Sequence, residues 1–326
     1  MTHVTQADGP TGSVTARVPA KVNLQLSVGP LGEDGYHDVV TVYHAVSLFD
    51  EVTVTAAQRT SVAVTGEGGP AVPLGPANLA VRAAVALARA TGRRGKGSGG
   101  VRIEIRKRIP VAAGLAGGSA DAAAALVACN ELWRTGLSTS QLAEVGTRIG
   151  SDVPFALTGG TAVGLGRGER LTTALVSGTY HWVLAFGATG LSTPDVYAAC
   201  DRLRAARRGK DGQPPAIAEP QLSTGLMAAL RSGDPAAVGP LLSNDLQPAA
   251  LSLQPLLRRA LQAGKEHGAL GAIVSGSGPT CAFLAKNAAA ARDLAVAVTG
   301  AGVCRAVVQV SGPAPGASVV EPGAVA

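Results

Sequence analysis

The stretch PVAAGLAGGSADAAAAL, Pro110 to Leu126, decides how the rest of the chain is read. Just before it, VRIEIRK alternates strictly: Val101, Ile103 and Ile105 fall on one face, Arg102, Glu104 and Arg106 on the other. That is the period of a half-buried strand. The stretch then leads into an alanine-rich helix, DAAAALVACNELW. The order is strand, glycine loop, helix. Gly114, Gly117 and Gly118 let the backbone curl without Cβ clashes. The first N–H groups of a helix lack internal partners and sit at the positive end of its dipole. An anion, above all a polyphosphate, fits there. Ser119 is expected at the cap, where its hydroxyl either caps the helix or serves a phosphate or Mg²⁺. An ordinary glycine-rich turn into a helix is the competing reading.

Other phosphate motifs are absent. Lys96, Lys210 and Lys265 follow glycines, but none precedes Ser or Thr as a GxxxxGK[ST] loop requires. GLGRGE, 164–169, leads into a threonine-rich segment rather than a helix and reads as a turn.

Working outward, alternating apolar residues predict strands over 14–28, 42–48, 51–55 and 61–65, and again near 161–165 and 180–186. Asn78 caps a predicted helix, NLAVRAAVALARA, and a second helix is expected over 139–149. RRGKGSGG and the charged, proline-rich stretch 202–219 read as loops, the first of them mobile. Helices fill much of 224–267, GAIVSGSGPTCAFLA reads as strand, glycine turn, strand, and VCRAVVQV as the last strand. Both tails, 1–13 and 311–326, are expected to be disordered. Helices and strands mix without regular βαβ units, which favours an α+β fold.

Three further segments carry chemistry. In PAKVNLQL, Lys21 and Asn23 are two apart in an extended run and share a face. A lysine among apolar neighbours needs a partner, unless that face is solvated. In GSDVP, Pro154 biases Val153 away from helix, so Asp152 is expected in a turn just past a helix end; a surface aspartate is the plain alternative. GSGPT, 276–280, is a second glycine turn between apolar strands.

Composition narrows the class. The 326 residues carry a net charge of +6, but the aromatic content of 3% is too low for base stacking along a nucleic acid. The excess charge reads as a solvated, arginine-rich surface. Four scattered cysteines form no CxxC pair, which argues against zinc and fits a reducing compartment. No apolar run reaches the roughly 18 residues of a membrane helix, and the polar start lacks a signal-peptide core. A cytoplasmic protein that binds neither nucleic acid nor membrane is expected.

Taken in order, a Lys/Asn strand, a glycine loop opening a helix and a late GSGPT turn resemble the three-motif signature of the GHMP kinases. PAKVNLQL, DGYHDV, KRIPVAAGLAGGSADAA, IGSDVPFAL, GRGE and SGSGPT resemble the branch of that superfamily that phosphorylates a cytidine diphosphate conjugate of methylerythritol. The resemblance covers about Val14 to Val310. It implies a two-domain α+β fold, with domains at 14–165 and 166–310 and the active site in the cleft between them. It implies ATP and Mg²⁺, with the metal ligand unknown because Ala120 replaces a serine found in many family loops, and Ala116 stands where many have glycine. Lys21 and Asp152 become the catalytic pair, Asp152 accepting the hydroxyl proton and Lys21 steadying charge. The nucleotide falls to Pro110, Ala113, Gly114, Leu115, Ala116, Gly117, Gly118, Ser119 and Ala120, with Lys107, Asn78 and Leu79 lining the adenine pocket. Asn23 faces the methylerythritol part. Tyr36 and His37 read cytosine, Thr193 lies in the LSTPDVY segment, and Tyr197 closes a sandwich over the base; a core role for Tyr197 stays open. Homoserine- or mevalonate-type acceptors, or an inactive nucleotide-binding regulator, are the alternatives. DGYH and LSTPDVY argue against the former and the Lys21–Asp152 pair against the latter.

Overall fold

The structure, a computed structural model, describes residues 12–93, 100–207 and 215–321. The segments 94–99 and 208–214, on which parts of the two predicted loops fall, lie outside it, as do 1–11 and 322–326.

The first half is built on β1 (Ser13–Leu31), β2 (His37–Ala57), β3 (Ser61–Gly66), α1 (Leu79–Ala90) and β4 (Gly100–Lys107). It continues through α2 (Gly117–Leu132), α3 (Thr139–Thr147), α4 (Val153–Thr158), β5 (Thr161–Leu165) and β6 (Arg170–Thr173). The second half runs β7 (Tyr180–Phe186), α5 (Thr193–Ala206), α6 (Thr224–Ser232), α7 (Pro235–Val238), β8 (Ser243–Asn244) and α8 (Gln247–Leu253). It ends with α9 (Leu256–Glu266), β9 (Gly271–Val274), β10 (Cys281–Ala285), α10 (Ala288–Gly300), β11 (Ala306–Gly312) and β12 (Ser318–Val319).

Two sheets organise these elements. The larger has the order β12-β1-β2-β4-β3, with β5 and β6 continuing from β2 and β8 alongside β1. The smaller has the order β11-β7-β10-β9 and is antiparallel throughout. The mixed content bears out an α+β fold. β1 and β2 are longer than the segments read from alternation because bulges absorb the breaks: the register shifts between Pro19 and Ala20 and between Asn23 and Gln25. A proline in a strand sits comfortably at such a bulge, and the second shift lies next to a site residue.

Helix α2 is apolar nearly all round; Ala122, Ala123, Ala124, Ala125 and Leu126 are each wholly buried. Such a helix belongs inside, and α2 is packed among α1, α4, β1 and β2. Small alanines let it approach the sheet closely, which fixes the glycine loop at its N-terminus.

Three expectations need correction. Residues 311–321 are ordered. Val320 N donates to Thr15 O, Ala314 N to Ala45 O and Ala317 N to Ala156 O, while β12 pairs with β1. The proline- and glycine-rich composition read as disorder, but tertiary partners satisfy its backbone. Ser13, placed in the disordered head, already belongs to β1. Arg202 and Arg204 belong to the last turns of α5 rather than to a loop. β5 and β6 form a hairpin across positions 165 and 166, and β8 and β12 return from the second half to the first sheet.

Candidate active site

Three separate segments meet at one carbonyl. Gly114 O accepts from Lys21 Nζ at 3.2 Å and from Ser275 Oγ at 3.1 Å. Lys21 N donates to Leu115 O, and Thr280 N to Ala113 O. The Lys/Asn strand, the glycine loop and the GSGPT turn are thereby joined. Gly114 has φ +75°, and a Cβ there would lie 2.1 Å from Ser275 O, so no other residue fits. Ala113, Leu115 and Ala120 are buried and act through the backbone.

Helix α2 starts at Gly117, with Ala116 as its N-cap in the left-handed region at φ 60°. Ser119 is therefore the third helical residue and not the cap. Gly118 is exposed, and the nearest atom to a Cβ built there is Leu79 Cδ1 at 3.4 Å, so its open side faces free space.

Lys21 is 7% exposed and donates to Asn23 Oδ1 at 2.7 Å. Its Nζ lies 4.0 Å from Asp152 Oδ2. Burial lowers the Lys21 pKa, and the Asp152 charge opposes that shift. Asn23 in turn donates to Thr41 Oγ1 at 2.8 Å, so its amide orients the lysine. Asp152 lies in the turn that follows α3, as expected, but it is also the N-cap of α4, so Val153 is helical and Pro154 sits in the first turn. The proline that read as a breaker starts a helix, as proline often does. Asp152 Oδ1 accepts from the Tyr43 hydroxyl at 2.8 Å.

Lys21, Asn23, Gly114, Gly117, Gly118, Ser119, Asp152, Arg167, Thr193, Tyr197 and Ser277 all line one cavity of about 330 Å³. Thr193 Oγ1 and Ser277 Oγ are 2.9 Å apart across it. A neighbouring cavity of about 270 Å³ is lined by Asn78, Leu79, Lys107, Pro110, Gly117, Gly118 and Asp121. Gly117 and Gly118 line both cavities, which therefore adjoin at the N-terminus of α2. Asn78 is committed to capping α1, accepting from Ala80 N and Val81 N and donating to Pro73 O.

Lys107 is buried between two carboxylates, Asp50 at 2.6 Å and Asp121 at 2.8 Å. Asp50 also accepts from Arg108 N and Ile109 N. Strand β2, the exit of β4 and the second turn of α2 are thus clamped together beneath the loop. Burial works against the Lys107 charge, but Asp121 and Asp50 outweigh it and raise its pKa. Burial likewise pushes the Asp121 carboxyl up to about 8. Lys107 engages Asp121 through Oδ2, and among the described residues no group of three or more His, Cys, Asp or Glu could hold a metal ion.

At the other end, Tyr197 stacks on His37, with centroids 5.2 Å apart and planes at 30°. His37 is held by Gly29 O at 3.0 Å and Asp201 Oδ2 at 3.2 Å, so both ring nitrogens are engaged. Tyr36 is 55% exposed, and the Arg167 guanidinium sits 3.6 Å from its ring centre. Arg167 is held there by Asp34 at 2.8 Å. Tyr197 and Tyr36 thus present two separate ring surfaces at this end, one backed by His37 and the other by Arg167.

Sequence reading missed Tyr43, Arg167, Asp50 and Ser277. Tyr43 looked like one more core residue of a strand, although it stands opposite Asn23 in the β1–β2 ladder. Arg167 lies in GRGE, which counts toward the resemblance but otherwise reads only as a turn, so its side chain carries no signal of its own. Asp50 interrupts an apolar strand, and that was its only signal.

Two family models match in order: GHMP kinases N terminal domain over residues 78–160 and GHMP kinases C terminal over 226–304. The 4-diphosphocytidyl-2-C-methyl-D-erythritol kinase of Mycolicibacterium gilvum is 56% identical over 311 residues, covering 95% of this chain and 94% of that protein. The enzyme of that name from Nocardia farcinica is 55% identical over 309 residues, covering 95% and 97%. Among solved structures, a 4-(cytidine 5'-diphospho)-2C-methyl-D-erythritol kinase superposes with a TM-score of 0.71 at 33% identity, over 91% of this chain and 98% of that one. A homoserine kinase from Cytophaga hutchinsonii shares the fold, with a TM-score of 0.70 at 20% identity, over 98% and 100%. Identity above one half across nearly the whole of both chains, with both halves of the fold matched in sequence order, makes this chain a member of the GHMP kinases and, within them, of the 4-diphosphocytidyl-2-C-methyl-D-erythritol kinase family.

Proposed function

We propose that this chain is an ATP-dependent kinase that phosphorylates the 2-hydroxyl of 4-diphosphocytidyl-2-C-methyl-D-erythritol, a step toward isoprenoid precursors. The observation that carries the reading is the Lys21–Asp152 pair, 4.0 Å apart and facing the glycine loop across one cavity. The free N–H groups at the start of α2 cradle the phosphates of ATP. The base lies in the cavity beside Asn78, Leu79 and Lys107, reached around Gly117 and Gly118.

Phosphoryl transfer depends chiefly on positioning and charge stabilisation. Asp152 takes the proton of the acceptor hydroxyl as the oxygen attacks, and its carboxylate holds that oxygen in line with the loop. Lys21, pinned by Asn23 and Gly114 O, meets the negative charge that builds on the transferring group. The Ser119 hydroxyl, on the cavity wall at the start of α2, would hold a Mg²⁺ ion brought in on the ATP phosphates, and that ion would supply neutralisation of their charge. The acceptor's cytosine lies against the Tyr197–His37 stack, with Arg167 and Tyr36 closing the outer side.

The test is a coupled assay of ADP release over a panel of acceptors. The cytidyl conjugate should turn over, while homoserine, mevalonate and free methylerythritol should not. Equal turnover of any of these would reject the acceptor and leave the kinase chemistry standing. ATP binding with no phosphoryl transfer to any acceptor would favour an inactive regulator instead.

A further inference from the structure

Tyr43 projects from the middle of β2, opposite Asn23 on β1 and Ala162 on β5. It is 3% exposed, and its ring stacks on Phe155 of α4 at 4.8 Å. The Lys21 ammonium lies 5.6 Å from its centre on this crowded interior face. Only its hydroxyl reaches the site, and there it donates to Asp152 Oδ1 at 2.8 Å. The β5–β6 hairpin is shaped around that hydroxyl. A Cβ at Gly168 would come within 2.2 Å of it, and one at Gly164 within 2.7 Å of the ring edge. Two glycines in GLGRG therefore make room for a phenol.

We propose that Tyr43 is the positioning residue that fixes the Asp152 carboxylate, engaging Oδ1 so that Oδ2, on the Lys21 side, is turned to the acceptor hydroxyl. This rests on the reading of Asp152 as the base. A carboxylate on a single χ2 rotor swings unless one oxygen is anchored, and a misplaced base is costly in rate. The phenol is suited to the task because it stays a donor: burial, and then the Asp152 charge, push its pKa well above the ordinary value. The other charged and titratable groups facing this corner are Lys21 from β1, Tyr197 from α5, and Arg167 and Glu169 from the β5–β6 hairpin.

The experiment is Tyr43→Phe, which keeps the ring and its stacking, assayed with ATP and the cytidyl acceptor and compared in wild-type and Asp152→Asn backgrounds. The expected result is a loss of kcat of about tenfold, the scale of one hydrogen bond to a charged group. Both KM values should stay within about twofold. On top of Asp152→Asn, the same change should cost less than about twofold, because the group it positions is gone. An equal loss in both backgrounds, or a loss that appears in KM rather than kcat, would assign Tyr43 to packing and overturn the proposal. Wild-type turnover in Asp152→Asn alone would instead strike at the base assignment.

Discussion

Lys21 Nζ donates to the carbonyl of Gly114 at 3.2 Å, tying a strand residue to a loop 93 positions later. The same ammonium stands 4.0 Å from Asp152. One side chain therefore sets the distance between the candidate base and the candidate phosphate cradle. With Asn23 holding it from the other side, Lys21 has little freedom, and the charge it carries is delivered to a defined place.

The first prediction follows from that arrangement. Asp152→Asn keeps the size of the side chain and can still accept from Tyr43, but it removes the base. Turnover should fall on the order of 10²-fold or more, while calorimetry should find ATP affinity little changed, because the phosphate loop does not touch this residue. A folded variant with wild-type turnover would remove Asp152 from the mechanism.

The second prediction separates two glycines of the loop. Gly118 has room: the nearest atom to an added Cβ is Leu79 Cδ1 at 3.4 Å. Gly118→Val should fold, fill the space where the two cavities adjoin and weaken ATP binding strongly, with acceptor affinity little altered. Gly114→Ala faces a carbonyl at 2.1 Å and φ +75°, so it should instead lower the melting temperature. Nucleotide affinity that survives Gly118→Val would refute the phosphate cradle.

These two glycines also mark how far the sequence could be read. The strand–loop–helix order around Gly114 was legible because period-2 alternation stops where glycine begins. Lys21 and Asp152 were legible as chemistry but not as geometry. Pro154 looked like a helix breaker, and only the packing of α4 under Tyr43 shows that it starts a helix. Residues 313–321 were illegible for the opposite reason: their partners in β1, β2 and α4 are remote in sequence, and nothing local announces them. Tyr43 and Asp50 were hidden because each acts through a partner across the fold, Asp152 in one case and Lys107 in the other.

The third prediction concerns stability in acid. His44 is wholly buried against Tyr180 and Trp182, with Nδ1 2.8 Å from Thr161 Oγ1, and burial lowers its pKa to about 3. The unfolded chain binds the proton near 6.5 and the folded one does not. Below that value the unfolded state holds more protons, so stability falls as pH falls, down to about 3. The cost reaches about 3 kcal/mol by about pH 4.5. His44→Asn removes the titration and keeps a group able to reach Thr161. Urea unfolding at pH 7 and pH 4.5 should show a smaller acid loss in the variant than in the wild type. Equal losses would show that His44 does not couple to folding in acid.

The last prediction concerns what reads the acceptor. Tyr197 and His37 already stack on one another, and Tyr36 lies outside them beneath the Arg167 guanidinium. A cytosine bound at this end has two aromatic surfaces to choose from, and they make different demands. If it lies on the Tyr197–His37 stack, Tyr197→Ala should raise the acceptor KM, with the loss of one base–aromatic stack worth roughly 1–3 kcal/mol. The ATP KM should hardly move. Tyr36→Ala should then cost less, because Tyr36 contributes only an exposed outer face. Replacing cytosine by uracil should also lower kcat/KM, since an amino donor becomes a carbonyl acceptor and leaves polar partners unmatched. His37 is already engaged through both ring nitrogens, so its Asp201 contact must open if the ring itself reads that edge. Asp201→Asn should then narrow the cytosine-to-uracil preference while leaving ATP binding intact. A cytidyl acceptor whose KM ignores Tyr197→Ala, Tyr36→Ala and the change of base would place the recognition of cytosine outside this end of the cavity.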